Sequence, residues 1–551
     1  MAAIPIEIQS APADGSEASC CGDTDGCGCS CQGLDAAQVA VPAGEPARPV
    51  GVATRRVLRT SSYAIYVDLP RNDAEMLLVH GYAGTFDKVS KRVATFVRAL
   101  EDRHAPKPLY GDWTADEAIE EKPELSDELI EVLLKRGYLT YLSREEELAR
   151  FEAIADGMHA QPTRPSYVIM PTYDCNLRCF YCFQDHMRTS PDFVHLLQRM
   201  THDMVDRIFD AMPQIEATHG IAPEDGYTRP ITLFGGEPLL QQNRDLVEHI
   251  LARAQQGGTR GLTVVTNATD LGAYEDLLGP ENLADLQITL DGVPEEHDKR
   301  RVYPDGRGSF AAIADNVTMA LSHGARISIR LNVDRVNVGQ LPRLARIFED
   351  RGWAGHQNFF AYTAPITGGN GKTERETLFS SWELDQALDE LRAAEPSMNV
   401  IDRPDDRLRN RVLSMFSHGG HPGGQPTFCG AHTGMYVIDR FGDMYACWER
   451  TGNPKIRIGR IDQDGTIETS EAMSSLWRNR TVTSNPVCKQ CRYALYCGGG
   501  CAVLAEGRTG RLDRNYCDGF GFRLRAMVAE AYTDHAAGKQ AGRSVAPLCD
   551  N

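Results

Sequence analysis

Short apolar runs alternate with stretches of helical periodicity between Ser166 and Ala364. Six such runs predict β-strands, at Tyr167–Met170, Ile231–Phe234, Leu262–Val265, Leu286–Leu290, Ile327–Leu331 and Asn358–Ala361. Between them, apolar residues recur at helical spacing, as in the series Leu197, Met200, Met204, Ile208 and Phe209. Repeated β-α units of this kind predict a parallel sheet, either an incomplete barrel or a doubly wound sheet. Such sheets place reactive groups at the carboxyl ends of their strands.

A smaller mixed unit is predicted over residues 57–142. Its predicted order is strand Ser62–Val67, strand Met76–Val79, helix Lys88–Leu100, a helix between Ser126 and Gly137, and edge strand Tyr138–Leu142. Ser126 is a favourable N-cap, with acidic residues following it in the first turn. The first 54 residues are rich in Ala, Gly, Ser and Pro, so we expect a mobile arm there. Residues 370–425 return to helical periodicity.

Composition narrows the classes of partner. The 551-residue chain carries 58 basic and 76 acidic side chains, and its formal charge of −18 argues against a nucleic-acid partner, which usually leaves a basic stripe. No run approaches about 18 apolar residues, and the N-terminus lacks the features of a signal peptide. We therefore expect a soluble, cytoplasmic protein with no membrane partner. In a reducing compartment, its 16 cysteines favour metal binding over disulfides.

Three of these cysteines, Cys175, Cys179 and Cys182, follow the first predicted strand of the parallel sheet. A structural zinc site requires four ligands, whereas a 4Fe-4S cluster held by three cysteines keeps one iron open for an exogenous ligand. The spacing therefore favours a catalytic iron-sulfur cluster. The alternative is a zinc knuckle that takes a distant fourth ligand.

The pattern C-x-x-x-C-x-aromatic-C at this position, with Tyr181 as the aromatic residue, resembles the radical S-adenosylmethionine (SAM) enzymes. The resemblance implies a partial (β/α)6 barrel, which we place at residues 160–368. It also implies that the open iron chelates the amino and carboxylate groups of SAM. One-electron reduction would then cleave SAM to a 5'-deoxyadenosyl radical that abstracts a substrate hydrogen. This requires an electron donor such as flavodoxin or ferredoxin.

The same resemblance assigns SAM contacts to the strand ends. Gly235, Gly236 and Glu237 match the GGEP motif of the family, which implies that Glu237 binds the ammonium of the methionine moiety. Arg301 resembles an arginine that contacts the SAM carboxylate. The other candidate contacts are Tyr181, Thr266, Asn267, Thr289 at the ribose, Asp291, Arg330 and Asn332. Strand-end caps and a solvated charge run are the alternative interpretations of these residues.

Seven further cysteines lie between residues 429 and 517. Their spacing resembles the SPASM module, which we place at residues 425–551 after a helical linker at 369–424. The module implies two auxiliary 4Fe-4S clusters, and thus three clusters in all. One auxiliary cluster would take Cys488, Cys491, Cys497 and Cys517, and the other Cys429, Cys447 and Cys501.

The second auxiliary set is one ligand short, because no cysteine lies between Cys182 and Cys429. The candidates for the fourth position are His418 or His421, a cysteine of the N-terminal arm, Cys549, or a substrate group on an open iron, which we favour. The arm carries Cys20, Cys21, Cys27, Cys29 and Cys31. That group fits no regular ligand spacing, and a metal-capturing tail, a redox-active arm, a substrate-like peptide and incidental thiols remain open.

The unit at residues 55–156 resembles the winged-helix-like domain fused to maturases of ribosomally made peptides. It implies a precursor-peptide partner whose leader adds a strand to the sheet edge. A structural cap or a nucleic-acid-binding winged helix is the alternative. Together the domains imply a peptide maturase that forms an intramolecular thioether or carbon–carbon crosslink. No residue stands out as the catalytic base.

Two other functions compete. A sulfatase-maturase-like enzyme would oxidise Cys or Ser to formylglycine, but those relatives carry an acidic residue directly after the cysteine that matches Cys447, and Trp448 stands there. A non-catalytic iron-sulfur scaffold is the third possibility. Glu237 argues against the scaffold, because a scaffold has no use for a SAM-binding rim.

Overall fold

The computed structural model describes residues 56–70, 72–101, 122–367, 373–403, 406–418 and 423–538. Its N-terminal unit consists of β1 Arg59–Thr60, β2 Ala64–Asp68, β3 Glu75–His80, β4 Phe86–Ser90, α1 Lys91–Ala99, α2 Asp127–Lys135, β5 Leu139–Thr140 and α3 Arg144–His159. Strands β2, β3 and β4 form an antiparallel sheet in that order, and β1 pairs with β5. In the described residues β4 is thus an edge strand.

Two elements of this unit differ from the prediction. Lys88 lies in β4 rather than in a helix, and α1 begins only after Ser90, whose side chain accepts a hydrogen bond from the main-chain N–H of Val93. Helix α3 was not predicted. Ser143 and Glu146 form a capping box at its start, in which each side chain accepts from the other residue's main-chain N–H.

The central part is a parallel sheet with helices between its strands. Its elements are β6 Ser166–Ile169, α4 Asp185–Thr189, α5 His202–Thr218, β7 Ile231–Leu233, α6 Arg244–Gln256, β8 Leu262–Thr266, β9 Leu283–Thr289, α7 Pro294–Arg300, α8 Phe310–Ser322, β10 Arg326–Val333, α9 Leu341–Asp350 and β11 Phe359–Pro365. Strands β6 to β11 pair in sequence order, all parallel. Each of the six predicted parallel strands is present.

The helix expected to include Leu197 and Met200 starts later than the spacing suggested. Residues 191–197 form a 3-10 turn, and the main-chain N–H of Met200 donates to the carbonyl of Pro171 at 2.7 Å. Helix α5 then begins after Thr201, whose hydroxyl caps the N–H of Met204. The apolar residues of the turn and of the helix nevertheless belong to the same buried core.

The C-terminal part continues the same sheet. Its elements are α10 Ser381–Ala394, β12 Ile401–Asp402, α11 Asp406–His418, β13 Met435–Ile438, β14 Asp443–Tyr445, β15 Gly459–Ile461, β16 Ile467–Thr469, α12 Glu471–Arg478, α13 Ala494–Cys497, α14 Ala502–Thr509 and α15 Phe520–Ala536. Strand β12 lies in the expected helical linker, yet it pairs in parallel with β11. Strand β13 pairs in parallel with β6, and β14 to β16 continue as an antiparallel meander. The C-terminal segment therefore shares a sheet with the central part. Its strand β13 covers the edge of β6 that would otherwise be open.

The N-terminal unit packs directly on the C-terminal segment. One face of its three-stranded sheet, which includes Ile65 and Val79, is buried with residues of α11 and α15. The opposite face is buried against α1 and α2. The Tyr63 hydroxyl donates to the carbonyl of Lys489 at 2.7 Å, and the Tyr496 hydroxyl donates to the carbonyl of His80 at 3.1 Å. Within the described ranges, no helix combines the length and apolar character needed to cross a membrane.

Candidate functional site

The loop that follows β6 brings three thiols together. Burial raises the pKa of Cys175 to about 11 and that of Cys179 to about 12, and the neighbouring thiols of the loop, Cys182 included, add to both shifts. The protein alone therefore keeps the sulfurs of Cys175 and Cys179 protonated. Since the thiolate is the metal-binding form, a positively charged group such as an iron-sulfur cluster must supply the stabilisation that burial removes.

Gly235 and Gly236 allow the loop after β7 to approach this cysteine loop. A Cβ atom on Gly235 would lie 2.5 Å from the carbonyl oxygen of Thr172, and one on Gly236 would lie 2.1 Å from that of Asp174. Gly235 also has a φ of +143°, in the region that favours glycine. The main-chain N–H of Glu237 donates to the Asp174 carbonyl at 2.8 Å. These glycines thus admit a neighbouring main chain.

Glu237 is almost fully buried and accepts three hydrogen bonds. Its Oε1 accepts from the Thr266 hydroxyl at 2.6 Å and the Leu239 N–H at 2.9 Å, and its Oε2 accepts from the Asn267 N–H at 2.6 Å. Burial raises its pKa to about 7, although these three donors act in the opposite direction. A cationic ligand would stabilise the ionised carboxylate, which fits the role expected for Glu237.

Asn267 joins the end of β8 to the cysteine loop. Its side-chain N–H donates to Asn176 Oδ1 at 2.9 Å and reaches Cys175 Sγ at 3.7 Å. Asn176 in turn donates to the Thr269 hydroxyl at 2.8 Å. Next to Asn267, Ala268 has a φ of +62°, an unusual conformation for a residue with a Cβ atom. Strain of this kind persists where the surroundings define the conformation, often at functional sites.

A second network lies on the other side of the cysteine loop. The Tyr181 hydroxyl donates to Asp291, and it receives hydrogen bonds from Arg301 at 2.8 Å and from the Asn332 side chain at 3.2 Å. The main-chain N–H of Asn332 also donates to Asp291 at 3.1 Å. These four predicted contact residues therefore form one cluster. Arg330 joins it through a 3.0 Å hydrogen bond to Asn332, and Thr289 lies beside Arg330 in the register of β9 and β10.

Arg301 retains an unused donor. Its guanidinium is buried, and its Nε has no hydrogen-bond partner among the described residues. A buried donor without a partner costs about 1–3 kcal/mol, which a bound anion would recover. The carboxylate of SAM, as expected from the sequence, has the charge to do so. Glu237 and Arg301 thus offer opposite charges near the cysteine loop, with the carboxylate in electrostatic range of Cys175 and the guanidinium in range of Cys179.

Several of the C-terminal cysteines lie in electrostatic range of one another. The thiols of Cys429 and Cys501 raise the pKa of Cys447, together with its burial. Likewise, Cys491 and Cys517 raise that of Cys488, and Cys488 and Cys491 raise that of Cys497, again in addition to burial. All ten predicted cluster cysteines are free thiols in the described residues.

The fourth position of the set Cys429, Cys447 and Cys501 has no protein ligand assigned. His421, Cys549 and the N-terminal cysteines Cys20 to Cys31 lie outside the described residues, as does the side chain of His418. Across the described ranges, no three His, Cys, Asp or Glu side chains converge tightly enough to hold a single metal ion.

Comparison with known proteins agrees with this geometry. Residues 169–346 match the family model of the radical SAM superfamily. The chain contains a radical SAM domain. The mycofactocin maturase MftC of Mycolicibacterium smegmatis is 26% identical over 338 residues, covering 60% of this chain and 76% of that protein. A cysteine-type anaerobic sulfatase-maturating enzyme of Clostridium novyi is 23% identical over 380 residues, covering 64% of this chain and 93% of that enzyme.

A solved structure, native anSMEcpe with bound AdoMet, is also similar to the chain. It aligns with a TM-score of 0.50 at 17% identity, over 68% of this chain and 99% of that one. At this identity the likeness concerns the fold alone. The radical SAM α/β fold with a parallel sheet, expected from the strand pattern and the cysteine motif, is thereby confirmed.

Two arginines beside the thiols, the half-buried Arg188 and the buried Arg480, were not found from the sequence. Arg188 on α4 donates to Cys182 Sγ at 3.0 Å. Arg480 lies in electrostatic range of both C-terminal sets, and it donates to His432 at 3.3 Å and to the carbonyl of Arg514 at 2.7 Å. Neither arginine belongs to a sequence motif, and only the folded loops bring them to the sulfurs.

Proposed function

We propose that the protein is a radical SAM enzyme that oxidatively modifies a ribosomally made precursor peptide by forming an intramolecular crosslink. The observation that carries the proposal is a loop of three thiols in which Cys175 lies in electrostatic range of the Glu237 carboxylate and Cys179 in range of the Arg301 guanidinium, whose Nε has no hydrogen-bond partner among the described residues. An amino acid with both charges, chelating an open iron, fits between them. The two further thiol sets give an enzyme of this kind a place for electrons released by ring closure.

The residues of the site have distinct proposed roles. Cys175, Cys179 and Cys182 hold the cluster, and Glu237 and Arg301 orient the ammonium and carboxylate of SAM. Bound SAM would supply, on one-electron reduction, a 5'-deoxyadenosyl radical that takes a hydrogen atom from the substrate. Asn332 and Asp291 hold the Tyr181 hydroxyl, which fixes the Tyr181 ring beside the cysteines of the loop.

The ten C-terminal and loop thiols divide as three, three and four. Under this proposal Cys488, Cys491, Cys497 and Cys517 fill all four positions of one auxiliary cluster, which then conducts electrons. Cys429, Cys447 and Cys501 leave one iron of the other cluster open for a substrate group. A low-potential donor such as flavodoxin or ferredoxin reduces the system.

The N-terminal unit offers a place for the precursor's leader segment. A shallow apolar cleft lies beside edge strand β4, lined by Val89 of β4 and Val93 of α1 on one side and by Leu129, Val132 and Leu133 of α2 on the other. Peptides bind at such edges by adding a strand, whose main chain pairs with the sheet while alternate side chains enter the cleft. We propose that the leader binds here.

The leader site can be tested with two matched variants of α2. Val132 lines the cleft, whereas its neighbour Glu131 is exposed. Val132→Asp places a charge in the cleft and is expected to weaken binding of a synthetic leader peptide at least tenfold, while Glu131→Asp leaves it unchanged. Fluorescence anisotropy measures the affinities, and circular dichroism checks that both variants fold. Equal affinities in the two variants would exclude the cleft as the leader site.

The reaction itself is tested by anaerobic turnover with the precursor encoded nearest to the gene. A crosslink removes two hydrogens from the peptide, which high-resolution mass spectrometry detects, and tandem fragmentation locates the joined residues. Stoichiometric 5'-deoxyadenosine must accompany the loss. A reduced, fully reconstituted protein that never forms 5'-deoxyadenosine would instead support the iron-sulfur scaffold.

Formylglycine formation is the second candidate, and one observation favours it. Trp448 stands where the sulfatase-maturase relatives carry an acidic residue, but the next residue, Glu449, is acidic. Glu449 lies in electrostatic range of Arg330. Trp448 itself stacks on Phe234, with ring centroids 5.3 Å apart. An acidic group therefore does lie near the set that includes Cys447. Incubation with a cysteine-containing sulfatase peptide decides the matter, since aldehyde formation would favour this activity over crosslinking.

A further inference from the structure

Arg188 lies beside the cysteine loop in a position that no motif explains. It lies on α4, six residues after Cys182, and its Nη2 donates to Cys182 Sγ at 3.0 Å. Its Nη1 donates to the carbonyl of Tyr173 at 3.4 Å. The Nε atom is buried and has no hydrogen-bond partner within the described residues. The guanidinium is thus held against the loop by one sulfur and one carbonyl.

The charges around Arg188 come from the loop itself. Cys175 and Cys179 lie in electrostatic range of its guanidinium, as Cys182 does. In the described part of the chain, its hydrogen bonds go only to that sulfur and that carbonyl, and no carboxylate forms an ion pair with it. Arg188 therefore presents an uncompensated positive charge to all three sulfurs.

We propose that Arg188 is a positioning residue that raises the reduction potential of the cluster held by Cys175, Cys179 and Cys182. This inference rests on the proposed function, since it assumes that cluster. Reduction adds one electron from a low-potential donor to the cluster and neither forms nor breaks a bond. The added negative charge is stabilised by a nearby cation and by an N–H donor to a ligand sulfur, and both effects raise the potential. Arg188 supplies both.

The test compares Arg188→Gln, Arg188→Lys and wild type as reconstituted holoenzymes. Each is poised anaerobically at a series of potentials with dithionite and mediators, and the reduced cluster is measured by electron paramagnetic resonance. The signal of this cluster is identified by its change when SAM is added. We expect Arg188→Gln to lower the ratio of reduced to oxidised cluster at least tenfold at a given potential, about 59 mV for one electron. Arg188→Lys keeps the charge and is expected to shift by less than half as much.

Arg178→Gln is the matched control. Arg178 belongs to the same loop, but its guanidinium donates to the carbonyls of Cys175 and Leu177 rather than to a sulfur. A shift in Arg178→Gln as large as that in Arg188→Gln would overturn the inference, because any loop charge would then suffice. An unchanged midpoint in Arg188→Gln with full iron content would also overturn it.

The remaining outcomes separate the two proposals. If Arg188→Gln loses iron, Arg188→Lys carries the test, and loss of iron from it as well would show a purely structural role and overturn the inference. If wild type shows no SAM-responsive cluster signal, the proposed function itself fails. The inference fails alone when that signal is present and the variants leave its potential unchanged.

Discussion

Replacing Glu237 by glutamine should disable the ammonium side of the SAM site while preserving its shape. The carboxylate accepts from two main-chain N–H groups, one at each oxygen: Leu239 at Oε1 and Asn267 at Oε2. A glutamine amide has one acceptor and one donor group. In either orientation its NH₂ therefore faces a main-chain N–H that cannot be reversed.

The magnitude follows from two losses. A hydrogen bond to a charged group contributes about 1.5–3 kcal/mol, and a buried donor left unsatisfied costs about 1–3 kcal/mol. The second cost falls on the folded protein with and without SAM, so it lowers stability more than affinity. The first cost falls on the complex alone. We therefore expect the dissociation constant of SAM to rise by about one to two orders of magnitude in Glu237→Gln.

Isothermal titration calorimetry of SAM into the anaerobically reconstituted protein measures this change. Glu295→Gln is the matched control, because Glu295 lies on α7 with 69% of its side chain exposed. The SAM affinity of this variant should equal that of wild type. Iron content and absorbance must be the same in all three proteins. A Glu237→Gln protein that binds SAM within threefold of wild type would refute the assignment of the ammonium to Glu237.

Two further predictions concern stability. Gly236→Ala places its Cβ atom 2.1 Å from the Asp174 carbonyl oxygen, so the cysteine loop must move. We expect loss of the SAM-responsive cluster, measured by iron analysis and electron paramagnetic resonance. The control Gly272→Ala, whose Cβ atom would lie 3.7 Å from the nearest neighbouring atom, should retain the cluster. His80 is buried, and burial lowers its pKa from 6.5 to about 4, so its neutral form stabilises the fold above pH 6.5 and stability falls as the pH drops toward 4. Between pH 7 and pH 5 wild type should lose about 2 kcal/mol more than His80→Gln in denaturant unfolding; equal losses would contradict this.

The parallel sheet could be predicted because its strands are local apolar runs. The apolar residues of each run identify it as a strand. Glu237, Thr266 and Asn267 could be expected to lie together because each stands at the end of a parallel strand, and they are hydrogen-bonded to one another. Strand β4 could not be recognised in the same way, because Phe86–Ser90 includes two charged residues and its outer edge faces a cleft. Its assignment to a strand depends on pairing with β3, which no local pattern encodes.

Long-range pairing also explains the other differences. Strand β13 pairs with β6 across the whole of the central part of the chain, so no local pattern encodes that contact. Arg188 and Arg480 reach the sulfurs through loop geometry rather than sequence spacing. By contrast, the start of α3 is encoded locally, since Ser143 and Glu146 have the spacing of a capping box.

The N-terminal unit cannot be exchanged for that of another protein without affecting the C-terminal segment on which it packs. Its turn at Gly81 fits so closely that a Cβ atom there would lie 2.2 Å from the carbonyl oxygen of Arg492, in the middle of the C-x2-C-x5-C loop. A guanidinium hydrogen bond from Arg492 to the Ala64 carbonyl, at 2.6 Å, joins the same surfaces. Grafting a foreign unit would disturb the four-thiol set, so retargeting to a new peptide should instead redesign the side chains that line the outer cleft.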